Sequence, residues 1–137
     1  MKKDKTSRTI FLFGEAEKGD FCTPLFLKSV PQLAELCGNP PAESLGILYA
    51  VQALLYEREL IYFRVKEEGF SISDYMKGLK LLKSPELFSN LNAICMPGVG
   101  DEGIINLSAE ICSLHKSFLI TNEKDLYDFL THTRGLQ

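Results

Sequence analysis

"LNAICMPGVGDEGI", residues Leu91 to Ile104, sets an apolar run, a glycine-rich loop and a helix start end to end. Leu91 to Met96 reads as a buried strand, and the stretch from Asp101 to Lys116 has the composition of a long helix. Gly98, Gly100 and Gly103 carry the spacing G-x-G-x-x-G of a dinucleotide-binding turn. A helix N-terminus offers free N–H groups and a dipole that attracts anions. Glu123, about twenty residues on, stands where such a site places its ribose-binding acid. Asp101 and Glu102 oppose that use, because their carboxylates meet the dipole themselves and repel a pyrophosphate. Pro97 stiffens the entry, and the loop follows the third strand of the chain rather than the first. The stretch reads first as a capped strand-to-helix joint. A nucleotide site on Gly98, Gly100, Gly103 and Glu123 is the alternative.

The same alternation runs outward from this joint. "TIFLF" (Thr9 to Phe13) is a β-branched and aromatic strand stopped by Gly14, and a loop containing Gly19 and Asp20 follows. A short extended piece follows Pro24. Ser29 is an N-cap, with Pro31 in the first turn, Gln32 completing a capping box and Gly38 ending the helix. That helix is expected to turn Val30, Leu33, Leu36 and Cys37 inward. A longer helix is predicted over about 42–56, with Leu45, Leu48, Val51, Leu54 and Leu55 as its apolar face, widened by Ile47, Ala50 and Ala53.

"ELIYFRV" (Glu59 to Val65) is the second strand, with Arg64 near its end. Ser71 and Asp74 are expected to cap a helix that buries Ile72, Tyr75, Met76, Leu79 and Leu82. Gly78 inside it should cost ~1 kcal/mol relative to Ala. "SFLIT" (Ser117 to Thr121) is the fourth strand, and Asn122 caps a last helix that turns Leu126, Phe129 and Leu130 inward. The fold class is therefore α/β: one domain over 1–137, a small four-stranded, mostly parallel sheet with helices on its faces, and flexible ends at 1–8 and 131–137.

Composition removes several functions. With 15 Lys and Arg against 18 Asp and Glu the net charge is −3, which gives no electrostatic basis for binding nucleic acid. No apolar run approaches the ~18 residues of a membrane span. "MKKDKTSR" is followed by no signal-peptide core, so a cytoplasmic setting is expected. Cys22, Cys37, Cys95 and Cys112 stand apart and read as free thiols, most of them buried. Cys112 and His115 supply two ligands where zinc takes about four, so no metal is expected. As a catalytic dyad that pair lacks a third group, and no G-x-S-x-G occurs. Glu67–Glu68 reads as solvated loop charge. Arg64 is either an anion contact or intersubunit ion pair, or a plain charge at a strand end.

Taken in order, four stretches resemble the core of contractile phage-tail sheath proteins. The first is "FLFGEAEKGDFCTPLFLKSVPQLAELCGN" (Phe11 to Asn39), with a strand, a Gly14-x-Ala16-x-x-Gly19 loop, Pro24 and a Ser-led helix closed by Gly38. The second is the next helix with a strand ending in Arg64-Val65. The third leads from Asp74 through "LNAICMPGV" to Pro97-Gly98, and the fourth runs through "SFLIT". Asp20 stands where the family has Pro, and the large inserted domains of sheath subunits are missing after Val65. The resemblance implies a non-enzymatic structural protein without a cofactor. Such a protein would self-associate as a homo-oligomer or dock to tail-tube or baseplate proteins, and would be cytoplasmic or incorporated in a tail-like particle. The surfaces it implies are a sheet edge, Arg64, the loop with Gly14, Gly19 and Asp20, and the Pro97–Gly98 turn. A regulatory domain for an unspecified ligand is a third reading.

Overall fold

The computed structural model describes residues 9–84, 86, 88 and 90–135, with backbone alone from 132 to 135. The basic stretch 1–8, the end of the chain and the side chain of His132 lie outside the described residues. Five strands and five helices follow one another as β1 (Thr9–Gly14), β2 (Pro24–Leu27), α1 (Val30–Cys37), α2 (Gly46–Leu55), β3 (Glu59–Arg64), α3 (Ile72–Leu82), β4 (Leu91–Cys95), α4 (Glu102–His115), β5 (Phe118–Ile120) and α5 (Glu123–Gly135). The strands form one sheet in the order β2-β3-β1-β4-β5. β1 pairs in parallel with β3 and β4, and β4 with β5.

The extended piece after Pro24 is a fifth strand, one more than the sequence led us to count. β2 runs antiparallel to β3, pairing Pro24 with Phe63 and Leu27 with Leu60, and forms one edge of the sheet. Proline at an edge-strand start loses no ladder bond.

From β1 the chain goes to β3 on one side and then crosses back to β4 on the other. Right-handed crossovers put the helices of the two journeys on opposite faces. Strand side chains alternate accordingly. Ile10, Leu12, Leu60, Tyr62, Ala93 and Cys95 pack with α1, α2 and α5, while Phe11, Phe13, Ile61, Phe63 and Ile94 pack with α3 and α4. Around Phe13 the second face is aromatic: its ring centroid lies 5.1 Å from Phe11, 5.2 Å from Phe63 and 5.1 Å from Tyr75.

Three helices bury a narrower face than expected, and α2 shifts its face away from most of its leucines. α2 begins at Gly46, and Gly46, Ile47, Tyr49, Ala50, Ala53 and Leu54 are its buried residues. Leu45, Leu48 and Leu55 are 43%, 47% and 69% exposed. In α1, Leu33 and Cys37 are buried but Leu36 is largely exposed. In α3, Tyr75, Leu79 and Leu82 are buried with Gly78 and Asp74, while Ile72 and Met76 face outward.

Close packing explains the choice. A Cβ on Gly78 would fall 2.4 Å from the Phe13 ring, so α3 lies against the sheet through its glycine. α5 does bury Leu126, Phe129 and Leu130, is capped by Asn122 accepting from Asp125 N–H at 2.8 Å, and continues to Gly135. Among the described residues no helix is long and apolar enough to cross a membrane.

Candidate functional site

The four parallel strands point their C-terminal ends the same way. From that end leave the segments 15–23, 65–71, 96–101 and 121–122, which carry most of the residues singled out by sequence. In open α/β sheets this is where ligands bind, at the strand where the winding reverses, here β1.

The glycine loop is closed by its own chain. Met96-Pro97-Gly98-Val99 is a tight turn, with Val99 N–H donating to Met96 O at 3.4 Å and Gly98 at φ +83°, which only glycine adopts easily. Pro97 is buried in it. Asp101 is the N-cap of α4, its carboxylate accepting from Ile104 N–H at 3.0 Å, and Glu102 sits in the first turn. Gly100 is exposed with nothing within 4 Å of an added Cβ, so no close backbone approach demands glycine there. Gly103 lies within the first helical turn, and Glu123 is exposed at the start of α5. Gly98 instead meets Gly69 of the 65–71 segment. A Cβ on Gly69, itself at φ +87°, would fall 2.6 Å from Gly98 O.

That segment crosses the sheet end and brings in Glu68, which is not solvated loop charge. α2 starts with Leu45 at its N-cap position, a residue with no side-chain acceptor. The acceptor arrives from Glu68. Its Oε1 accepts Leu45 N–H at 2.7 Å, and its Oε2 accepts Gly46 N–H and Glu15 N–H at 2.9 Å each. Glu15 returns the bond, its Oε2 accepting Glu68 N–H at 2.8 Å, while Tyr62 O–H donates to Glu15 O at 2.7 Å.

The geometry depends on two glycines. A Cβ on Gly14 would lie 2.4 Å from Tyr62 Oη and 2.8 Å from Gly46 Cα, so the end of β1 and the start of α2 touch at backbone distance. Gly14 is thus a buried packing residue. The anion site that a helix N-terminus offers is filled from within by a carboxylate.

The rest of the segment is equally held. Gly69 N–H donates to Tyr75 Oη at 2.7 Å, and Asp74 Oδ2 accepts Lys66 N–H at 2.9 Å. Ser71 precedes α3 but does not cap it with its hydroxyl, which donates to Glu67 O at 2.9 Å. Burial pushes the Asp74 carboxyl up, but bonds from Lys66 N–H and the Cys22 thiol, with the Lys66 and Lys77 charges, outweigh it and hold it below 3.8.

Arg64 organises the neighbouring loop. Its Nη1 donates to Gly19 O, its guanidinium lies 3.9 Å from the Phe21 ring centre, and its carbonyl accepts Cys22 N–H at 2.9 Å. Gly19, Asp20 and Arg64 come together with Lys18, Leu36 and Cys37 around a cleft of about 240 Å³. A second hollow, of about 290 Å³, lies toward the opposite end of the sheet between Phe26, Phe88 and Leu91.

Burial sets the titration of the remaining candidates. It raises the thiols of Cys37, Cys95 and Cys112 and takes the Tyr49 phenol to about 12, so these groups stay neutral at physiological pH. His115 is not paired with Cys112 for chemistry, since its Nε2 donates to Leu82 O at 2.6 Å and ties α4 to α3. All four cysteines are free, and Cys22 is only half-buried. No cluster of three or more His, Cys, Asp or Glu that could hold a metal ion occurs among the described residues. Compared with known families, with curated proteins and with solved structures, the chain finds no match.

Proposed function

We propose that this protein is a non-enzymatic assembly module, similar to the core of a contractile tail sheath, that acts through its surfaces. It would self-associate or dock to tail-tube or baseplate components, in the cytoplasm and then within a tail-like particle. The observation that carries the reading is the filled sheet end: Glu68 takes up the helix N-terminus at the winding reversal, and Asp101 takes up the other. Large apolar side chains stand outside instead. Leu48 and Leu55, seven residues apart and hence on one side of α2, are 47% and 69% exposed, and Leu36 of the neighbouring α1 is also exposed.

Sedimentation over a range of concentrations tests the reading. The wild-type chain should self-associate or bind purified tube or baseplate protein, and Leu48→Glu with Leu55→Glu should weaken that association without lowering the melting temperature. A wild type that stays monomeric and binds neither component overturns it. Saturable nucleotide binding in a calorimeter, lost on Gly100→Val, would replace it with the nucleotide-module reading.

A further inference from the structure

Arg64 is a half-buried arginine near the end of β3. Among the described residues no carboxylate lies within ion-pair distance of it, and its Nε is buried without a hydrogen-bond partner. Its contacts are with a carbonyl and an aromatic face, neither of which neutralises it. A guanidinium partly removed from water and left unpaired is costly, and a carboxylate delivered to it recovers much of that cost.

The cleft beside it fits such a delivery. Arg64 and Lys18 line it against a single acid, the exposed Asp20, and Leu25, Leu36, Cys37 and Tyr62 supply apolar walls. Its volume of about 240 Å³ is below the ~300 Å³ at which small-molecule pockets begin. That is room for one side chain with an apolar stem and an anionic head. Leu36 joins the cleft to the outer face of α1 and α2, where the exposed leucines stand. The chain has 18 acidic residues against 15 basic ones, with Glu35 and Glu43 exposed on or beside that same helical layer.

We infer that the Arg64 cleft receives a glutamate or aspartate side chain from a second copy of this chain. The inference rests on the assembly reading and specifies its contact. It makes Arg64 both the organiser of the 15–23 loop and the charge that selects the neighbour.

The test compares association of the wild type, Arg64→Gln and Thr23→Glu by sedimentation at low and high salt. Thr23 is exposed and lines the cleft, so its replacement offers an internal carboxylate while Arg64 keeps its bond to Gly19. Wild-type association should weaken as salt rises. Both variants should weaken it by about 30-fold or more, as loss of a desolvated interfacial charge pair does, and should lose the salt dependence. If the wild type associates and both variants match it, the inference falls and the assembly reading stands. A loss confined to Arg64→Gln would assign the effect to a released loop and also overturn it. Stabilisation by free butyrate with association unchanged would put a small carboxylate in the cleft in place of a neighbour's side chain. A monomeric wild type removes the assembly reading and this inference together.

Discussion

Replacing Glu68 by glutamine is the sharpest test of the filled sheet end. The carboxylate accepts three backbone N–H groups, from Glu15, Leu45 and Gly46. A glutamine oxygen in the place of Oε2 would still serve Glu15 and Gly46, but its NH₂ would confront Leu45 N–H. The loss is one charge-assisted hydrogen bond, ~1.5–3 kcal/mol, plus the charge at the start of α2, ~0.3–1 kcal/mol. Glu68 is half-exposed and water reaches part of the site, so the lower part of that range applies, about 2 kcal/mol. Glu68→Ala leaves all three donors to water and should cost about 3 kcal/mol. For a domain of this length the two values correspond to losses of about 7 and 10 °C in melting temperature.

Urea unfolding followed by far-ultraviolet circular dichroism measures both, provided the slope m is unchanged. The Ala variant also opens the three N–H groups to small anions, so formate should stabilise it more than it stabilises the wild type. A cost under about 0.5 kcal/mol for Glu68→Ala, with no formate effect, would mean that water replaces the carboxylate freely. Glu68 would then not be what fills this end of the sheet.

Two further expectations concern the face of the sheet under α3. Gly78→Ala should gain ~1 kcal/mol of helix propensity and lose ~1–3 kcal/mol to the Phe13 ring, for a net loss of up to about 2 kcal/mol, and a rise in melting temperature would refute this. Asp74→Asn should cost ~1–2 kcal/mol at neutral pH. Because the folded-state carboxyl lies below its unfolded value, that cost is fully present above about pH 4 and disappears as pH falls through the lower folded-state value. An unchanged difference between the two proteins from neutral pH down to strongly acidic solution would contradict the assignment.

Much of the fold was legible because its signals are local. Ser29 does accept Gln32 N–H, at 3.2 Å. Gln32 does turn back, to Lys28 N–H rather than to the cap residue. Asp101 and Asn122 cap their helices as their positions implied. The buried strands announced themselves as short β-branched and aromatic runs. β2 was visible only as an extended piece, since four residues beginning at a proline carry little periodicity. In α1, α2 and α3 the expected Leu33, Cys37, Ala50, Ala53, Leu54, Tyr75, Leu79 and Leu82 are buried. Leu36, Leu45, Leu48, Leu55, Ile72 and Met76, also expected inside, stand outside, because the helices approach the sheet through Cys37, Ala50, Ala53 and Gly78. Small residues permit close approach, and a hydrophobicity pattern undervalues them.

The candidate site divides in the same way. Asp101 and Glu102 already argued against a pyrophosphate at Gly98–Gly103, because a cap and its helix are neighbours in sequence. Nothing near Leu45 in the chain shows what caps α2, and nothing near Glu68 shows what it accepts. Those groups are more than twenty residues apart and meet only because β1 lies between β3 and β4, bringing the segments that follow β1 and β3 over one end of the sheet. Sequence alone determined the α/β alternation, the caps at Ser29, Asp101 and Asn122 and the closed glycine joint, all products of local backbone chemistry. The tertiary structure decided which helix faces are buried, that Glu68 fills the sheet end and that Arg64 has no counter-ion among the described residues, because each depends on groups far apart in sequence that only the assembled sheet brings together.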